Sequence, residues 1–244
     1  MKLAAADIGN SRIKILIDNA CHSFEYSKNS IRYIRQIFKE FSDDEIVIAI
    51  SSVSQKKKDF FLNVIYPLKN ITAIAAEKIL DGYKQIDFSK IIGMGTDRKL
   101  GLIAAANFLK PPFYTIDCGT AVTANFVNQN YICEGGVIFP GAFTQLKSLS
   151  KHTEALQNIT TNWEIEQIGK NTDDAISAGI IFSIVGGIKE AIQCFSKEEG
   201  IKKLNGIITG GYSQFIYPKL LKEKYKIEYR ENLVLEGIIS LLKQ

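Results

Sequence analysis

The sequence predicts an α/β protein made of two similar, duplicated α/β domains, and three observations predict it. Apolar β-branched runs alternate along the 244 residues with stretches of helical periodicity. Asp7-Ile8-Gly9-Asn10 and Asp117-Cys118-Gly119-Thr120 recur at matching places in two halves, each closing one apolar strand and opening another. Each half also holds a later apolar strand ending in tiny residues, Ser51-Ser52 in the first and Gly210-Gly211 in the second. Pro111-Pro112, through which no helix continues, marks the expected boundary. The halves are then an N-terminal domain over 1–112 and a C-terminal domain over 113–244, facing each other.

Residues 2–8 and 12–18 read as strands joined by Gly9-Asn10-Ser11, a hairpin signal because Gly and Asn tolerate positive φ. Ile34, Ile37, Phe38 and Phe41 space a helix over 31–41, after which 45–50 returns to a strand. A helix over 55–66 and a strand over 71–75 follow, with Lys56-Lys57-Lys58 read as a solvated helix face. Residues 95–109 form a loop entering a helix. Beyond the prolines, 113–117 is a strand, 118–120 a turn and 121–127 a second strand. The glycines of 135–141 are expected to break a strand before a helix and to shape a wall. Helices are expected over 141–157, 172–198, 212–223 and 232–242. The stretch 175–188 is apolar all round and must be buried in a core or an interface. It is shorter than the roughly 20 residues that cross a bilayer, so no membrane span is expected.

Composition narrows the function. Hydrophobic residues make up 46% and charged ones 23%, which suits substantial cores and excludes disorder. Thirty basic against 26 acidic side chains leave a formal charge of +4, too small and scattered for a nucleic-acid partner. Cys21, Cys118, Cys133 and Cys194 show no CxxC spacing, so neither a disulfide framework nor a zinc site is indicated and a cytoplasmic location is expected. They read as core fillers, with Cys118 the exception because it lies inside a turn. The apolar stretch at the start is interrupted by Asp7 and is too short for a signal peptide. His22 and His152 have no sequence-near partner and are read as boundary residues rather than catalytic ones.

The two turns carry the chemistry. A Gly-Asn or Gly-Thr tip exposes backbone N–H groups, and concave sets of amides bind phosphate oxygens. A carboxylate beside a phosphate is unfavourable unless a cation lies between, so the repeated Asp suggests two cation positions around one polyphosphate clamped between the domains. Lys14 lies within reach of the same anion. Taken singly, each Asp reads as a residue that caps its own turn; it is the pair that points to phosphate. Gly210-Gly211 either packs tightly or lets the backbone lie flat on an adenine. In Gly93-Met94-Gly95-Thr96-Asp97-Arg98, Asp97 is either a helix cap or a base beside a guanidinium that holds an anionic substrate.

Together these motifs resemble the type III pantothenate kinases of bacteria, in the acetate and sugar kinase/heat-shock chaperone/actin superfamily. The match runs almost end to end, through residues 7–14, 95–98, 117–123, 135–141 and 168–172 with Gly179, in that order. The resemblance implies an actin-like ATPase or ribonuclease H-like fold with a nucleotide cleft between the halves. It implies ATP-dependent phosphorylation of pantothenate to 4′-phosphopantothenate, the first step of coenzyme A biosynthesis. Asp97 would be the general base, with Gly95, Thr96 and Arg98 contacting pantothenate. Asp7, Gly9, Asn10, Ser11, Lys14, Gly119 and Thr120 would contact ATP, to which the reading of the residues themselves adds Gly210 and Gly211. Asp117 would hold a monovalent cation, K+ or NH4+, and Asp7 a Mg2+ through water. Thr172 would reach the pantothenate of the partner subunit in a homodimer; the plainer reading is that it caps its own helix. The family usually has Ala where Thr96 stands, often Thr where Ser11 stands, and commonly Tyr at the position of Phe88, where a substrate hydrogen bond is therefore in question.

Two other functions fit the residues: a different small-molecule kinase or phosphatase of the superfamily, and a non-catalytic regulator that keeps the fold. Intact Asp7, Asp97, Arg98 and Asp117 argue against the second.

Overall fold

The computed structural model describes residues 1–152, 156, 159–201 and 204–244. They fall into two compact units, one formed by Met1–Phe108 with Asn232–Gln244, the other by Leu109–Glu231. The division differs from the expected 1–112 and 113–244 chiefly at the C-terminus. The last helix joins the first unit because its apolar side chains are buried there.

In the first unit β1 (Lys2–Ile8), β2 (Arg12–Ile17), β3 (Ala20–Glu25), β4 (Ile46–Ser52) and β5 (Ile71–Ala75) form a sheet of order β3-β2-β1-β4-β5. The β1–β2 and β2–β3 pairs are antiparallel; β1–β4 and β4–β5 are parallel. Alternation gives β1 two apolar faces. Ala4, Ala6 and Ile8 pack with Ile34, Ile37 and Phe38 of α1 (Ser30–Lys39) and with Phe61, Val64 and Ile65 of α2 (Gln55–Ile65). On the other face Ala5 and Ala49 meet Leu100 and Ile103 of α4 (Thr96–Ala106) and Leu235, Ile238 and Leu241 of α8 (Leu233–Leu242). The short α3 (Ala76–Leu80), which follows β5, adds Ala76 to this second cluster. The two helices approach closely at Gly237, where a Cβ would stand 2.2 Å from the Leu100 carbonyl oxygen.

The second unit repeats this plan strand for strand. Its strands β6 (Phe113–Cys118), β7 (Ala121–Val127), β8 (Cys133–Pro140), β9 (Asn205–Thr209) and β10 (Lys226–Tyr229) have the order β10-β9-β6-β7-β8. β6–β7 and β7–β8 are antiparallel, β6–β9 and β9–β10 parallel, so β6 to β10 correspond to β1 to β5. The duplication expected from the two Asp-containing turns is a duplication of topology. Ile116, Cys118, Val122, Ala124 and Ile208 form a core with Ile180, Ile181, Ile184 and Ile188 of α6 (Thr172–Glu198) and with Ile216 and Leu220 of α7 (Ser213–Lys222). Helix α5 (Ala142–His152) packs on α6. The rest of the helix expected over 141–157 and the His152 side chain lie outside the described residues, apart from Leu156.

Several expectations need correction. The strands β3 and β10 and helix α3 were not expected, since each is short and largely polar on its exposed side. Gly135 and Gly136 do not break a strand: β8 runs through them, and a Cβ at Gly136 would lie 1.9 Å from the Ala124 carbonyl oxygen, so the glycine permits close strand pairing. Within the single chain, residues 175–188 bury Ser177, Ala178, Ile180, Ile181, Ile184 and Ile188 in the core and leave Phe182 43% exposed. At 27 residues, α6 is long and apolar enough by composition to span a membrane, and 44% of its most apolar window is buried inside the chain. Cys21 and Cys194 are exposed rather than core fillers, while Cys118 and Cys133 are buried, and all four are free thiols.

Candidate active site

Asp7 is the penultimate residue of β1 and stands in register with Lys14 on β2 and with Ser51 on β4. In-register neighbours share a sheet face, and alternation places Asp7 on the face of Ala5, which α4 and α8 cover. The first carboxylate, Lys14, Ser51 and the helix bearing Asp97 thus lie on one side of one sheet. Beyond Ile8 the hairpin closes through the Gly9 N–H and the Arg12 carbonyl at 3.0 Å, leaving Asn10 and Ser11 at an exposed tip. Two side chains that the sequence did not single out hold this tip. The Tyr26 hydroxyl donates to the Gly9 carbonyl at 2.9 Å, and the Lys57 ammonium donates to the Asn10 carbonyl. Lys57 also lies 4.5 Å above the Tyr26 ring. Desolvation of the phenol, with the Asp7 charge adding to it, pushes the Tyr26 pKa up to about 12.

The lysine run is accordingly not one solvated face. Lys56 is exposed, Lys57 reaches the hairpin, and Lys58 pairs with Glu77 at 3.5 Å.

The loop before α4 turns at Gly93, whose φ is +74°, and Gly95 is the N-cap of the helix. Asp97 is therefore not the cap; it sits in the first turn, half-buried, with Oδ1 accepting the Arg98 N–H at 2.8 Å. A Cβ at Gly95 would stand 2.5 Å from that Oδ1, so a side chain there would crowd the carboxylate where it folds over the helix end. Phe88 is half-buried beneath the Lys99 ammonium, 5.3 Å from the ring centre, and both line a depression of about 380 Å³.

In the second unit Asp117 stands in register with Thr123 and Thr209, the counterparts of Lys14 and Ser51. Gly119 N–H closes the turn on the Ala121 carbonyl at 3.1 Å. The exposed Thr120 has its carbonyl held by the Gly141 N–H at 3.0 Å and by the Thr144 hydroxyl at 2.6 Å. Gly210 has φ +99° and lies directly on this turn: a Cβ there would meet Asp117 Oδ1 at 2.4 Å and the Cys118 backbone at 2.6 Å. Gly211 has open space around it. Cys118 points into the core, where burial, reinforced by the Asp117 charge, raises its pKa and keeps it a thiol. Its place in the turn gives it no exposed chemistry.

Thr172 begins α6 and is exposed; the cap is Asn171, whose side chain accepts the Asp174 N–H at 2.9 Å. The reading of Thr172 as its own helix cap is thereby overturned. Among the described residues no group of three or more His, Cys, Asp or Glu side chains is placed to hold a metal. A cation here would need single carboxylates together with hydroxyl and phosphate oxygens.

A family model described as type III pantothenate kinase matches residues 3–194, which include both tips, the 95–98 loop and Thr172. The chain belongs to this family. A type III pantothenate kinase of Sulfurihydrogenibium sp. (strain YO3AOP1) is 30% identical over 201 residues, covering 80% of this chain and 76% of the relative. One from Nitrosococcus oceani is 30% identical over 250 residues, covering 97% and 92%. Among solved structures, a conserved Campylobacter jejuni protein provisionally assigned to the Baf family of transcriptional activators superposes with a TM-score of 0.63 at 23% identity, covering 100% of this chain and 98% of that one. The fold is also shared with a Sinorhizobium meliloti protein provisionally described as a 2-dehydro-3-deoxygalactonokinase, at a TM-score of 0.59 and 12% identity. Within the matched span of the family lie Asp7, Asp97, Arg98, Asp117 and Thr172; Gly210 and Gly211 lie beyond it.

Proposed function

We propose that this chain transfers the γ-phosphoryl group of ATP to the primary hydroxyl of pantothenate, forming 4′-phosphopantothenate, the first step of coenzyme A biosynthesis. The observation that carries the reading is membership of the type III pantothenate kinase family over residues 3–194. Phosphoryl transfer asks for positioning and charge neutralisation more than for covalent help from the protein.

The roles follow from the local chemistry. Asp97, one oxygen taken by the Arg98 N–H, uses the other to accept the hydroxyl proton. Gly95, Thr96, Arg98 and the Phe88 ring contact pantothenate, and Phe88 offers apolar surface without a hydroxyl. Asp7, Gly9, Asn10, Ser11 and Lys14 in the first unit, and Gly119, Thr120, Gly210 and Gly211 in the second, contact ATP. Gly210 does so through its backbone beside Asp117.

Two cations complete the reading. The Ser51 hydroxyl is buried and, among the described residues, has no hydrogen-bond partner; it stands in register with Asp7, an oxygen-rich setting that suits Mg2+ held through water. Asp117 between Thr123 and Thr209 suits a monovalent cation, K+ or NH4+. When bound, such ions neutralise phosphate charge that these carboxylates would otherwise repel.

The working form is a cytoplasmic homodimer in which Thr172 contacts the partner's pantothenate. Supporting it are exposed apolar side chains on adjacent elements of the second unit: Ile138 of β8 at 59%, Phe143 of α5 at 57% and Phe182 of α6 at 43%. No nucleic acid or membrane enters the function.

A coupled assay of ADP release, with Mg2+ and K+ supplied and pantothenate present or absent, tests the reading. Pantothenate-dependent release is expected. Release driven by other alcohols but not by pantothenate would replace the acceptor, and ATP turnover with none of them would sink the kinase assignment.

A further inference from the structure

The two tips are held from behind in the same way. In the second unit the Thr120 carbonyl accepts from the Gly141 N–H and the Thr144 hydroxyl. In the first, the equivalent Asn10 carbonyl accepts from the Lys57 ammonium, and the preceding Gly9 carbonyl from the Tyr26 hydroxyl. A trans peptide is planar, so its N–H points opposite to its C=O. Fixing the Gly9 and Asn10 carbonyls toward Tyr26 and Lys57 therefore turns the Asn10 and Ser11 N–H groups to the other side of the tip. Charge on the carbonyl also polarises the peptide and strengthens the N–H as a donor.

We infer that Lys57 and Tyr26 are positioning residues that orient the amides of the 9–11 tip for a phosphate group of the nucleotide. The inference rests on the kinase reading above and assigns to it two residues outside the motifs. The ammonium over the ring joins them into one device, since each fixes the other's place. A phenol is protonated, and so a donor, across the physiological range even at its ordinary pKa of 10.0, and partial burial raises that pKa further. A lone solvated lysine would need neither the ring nor the carbonyl.

The test uses the full-length variants Lys57→Met, Lys57→Arg and Tyr26→Phe, with binding of a non-hydrolysable ATP analogue measured by titration calorimetry beside steady-state kinetics and thermal unfolding. A hydrogen bond to a charged group of about 1.5–3 kcal/mol corresponds to roughly a 10- to 150-fold change. Lys57→Met is expected to weaken analogue binding and raise the KM for ATP by about that factor, leaving the KM for pantothenate within about twofold. Lys57→Arg should restore most of the loss. Tyr26→Phe should weaken binding several-fold, and its effect should not add fully to that of Lys57→Met. Analogue affinity within about twofold of the parent in folded Lys57→Met, equal losses in the Met and Arg variants, or an unchanged Tyr26→Phe would each overturn the inference. If the parent shows no pantothenate-dependent turnover, the acceptor assignment fails, while the analogue titration still decides this question.

Discussion

Gly210 and Asp117 occupy adjoining space: a Cβ at residue 210 would lie 2.4 Å from Asp117 Oδ1. The same glycine has φ +99°, a region in which side chains are strained. Its place at the end of β9, directly against the carboxylate of the second tip, makes the glycine a condition for that carboxylate's position. Gly210→Ala should lower stability by about 1–3 kcal/mol and raise the KM for ATP more than that for pantothenate. An unchanged melting temperature with unchanged kinetics would show that the turn yields without consequence.

Asp97→Asn should keep the fold, because the amide oxygen still accepts the Arg98 N–H, and lower turnover by about 10²–10⁴, the usual worth of a positioned base. Turnover within a few-fold of the parent would show that the side chain serves only the helix end.

Asp117→Ala should weaken use of ATP and abolish activation by K+, since the proposed task of that carboxylate is to hold a cation against phosphate. Titrating K+ against both proteins decides the matter: a parent-like response in the variant would move the cation site elsewhere.

Thr172 is free of capping duty because Asn171 performs it. If Thr172 serves a neighbouring subunit, refolding mixed Asp97→Asn and Thr172→Arg chains, each inactive alone, should restore roughly a quarter of parent activity through hybrid dimers. With mixing confirmed by native mass spectrometry, no recovery would confine Thr172 to its own chain.

The half-buried phenol of Tyr26 sets an alkaline limit. Its folded pKa, about 12, exceeds the unfolded value of 10.0. The unfolded chain therefore loses this proton first, and the contribution, complete below pH 10, is lost as pH rises toward 12. Melting temperatures across that window should fall less steeply for Tyr26→Phe than for the parent. Parallel slopes would show that Tyr26 is not the group responsible.

Strand and helix periodicity was legible wherever burial was regular. Residues 71–75 and 172–198 were read to their observed limits, and the repeated Asp-x-Gly turns announced a duplication that the strand orders bear out. Apolar alternation is a local property written directly in neighbouring residues. Strands β3 and β10 escaped because their exposed sides are polar, so pairing rather than pattern defines them.

The Asp-containing turns, the 95–98 loop and the family itself were determined by sequence alone, since each is a contiguous run whose residue types carry the chemistry. Only tertiary structure decided that α8 completes the first unit, that Lys57 and Tyr26 grip the first tip, and that Gly210 lies against Asp117. Each joins residues far apart in the chain, so the contact exists only once the sheets have set strand register and the helices have packed. A lysine in a basic run and a glycine after a strand look alike in sequence whether they face water or a carbonyl; the packing of their neighbours chooses between the two.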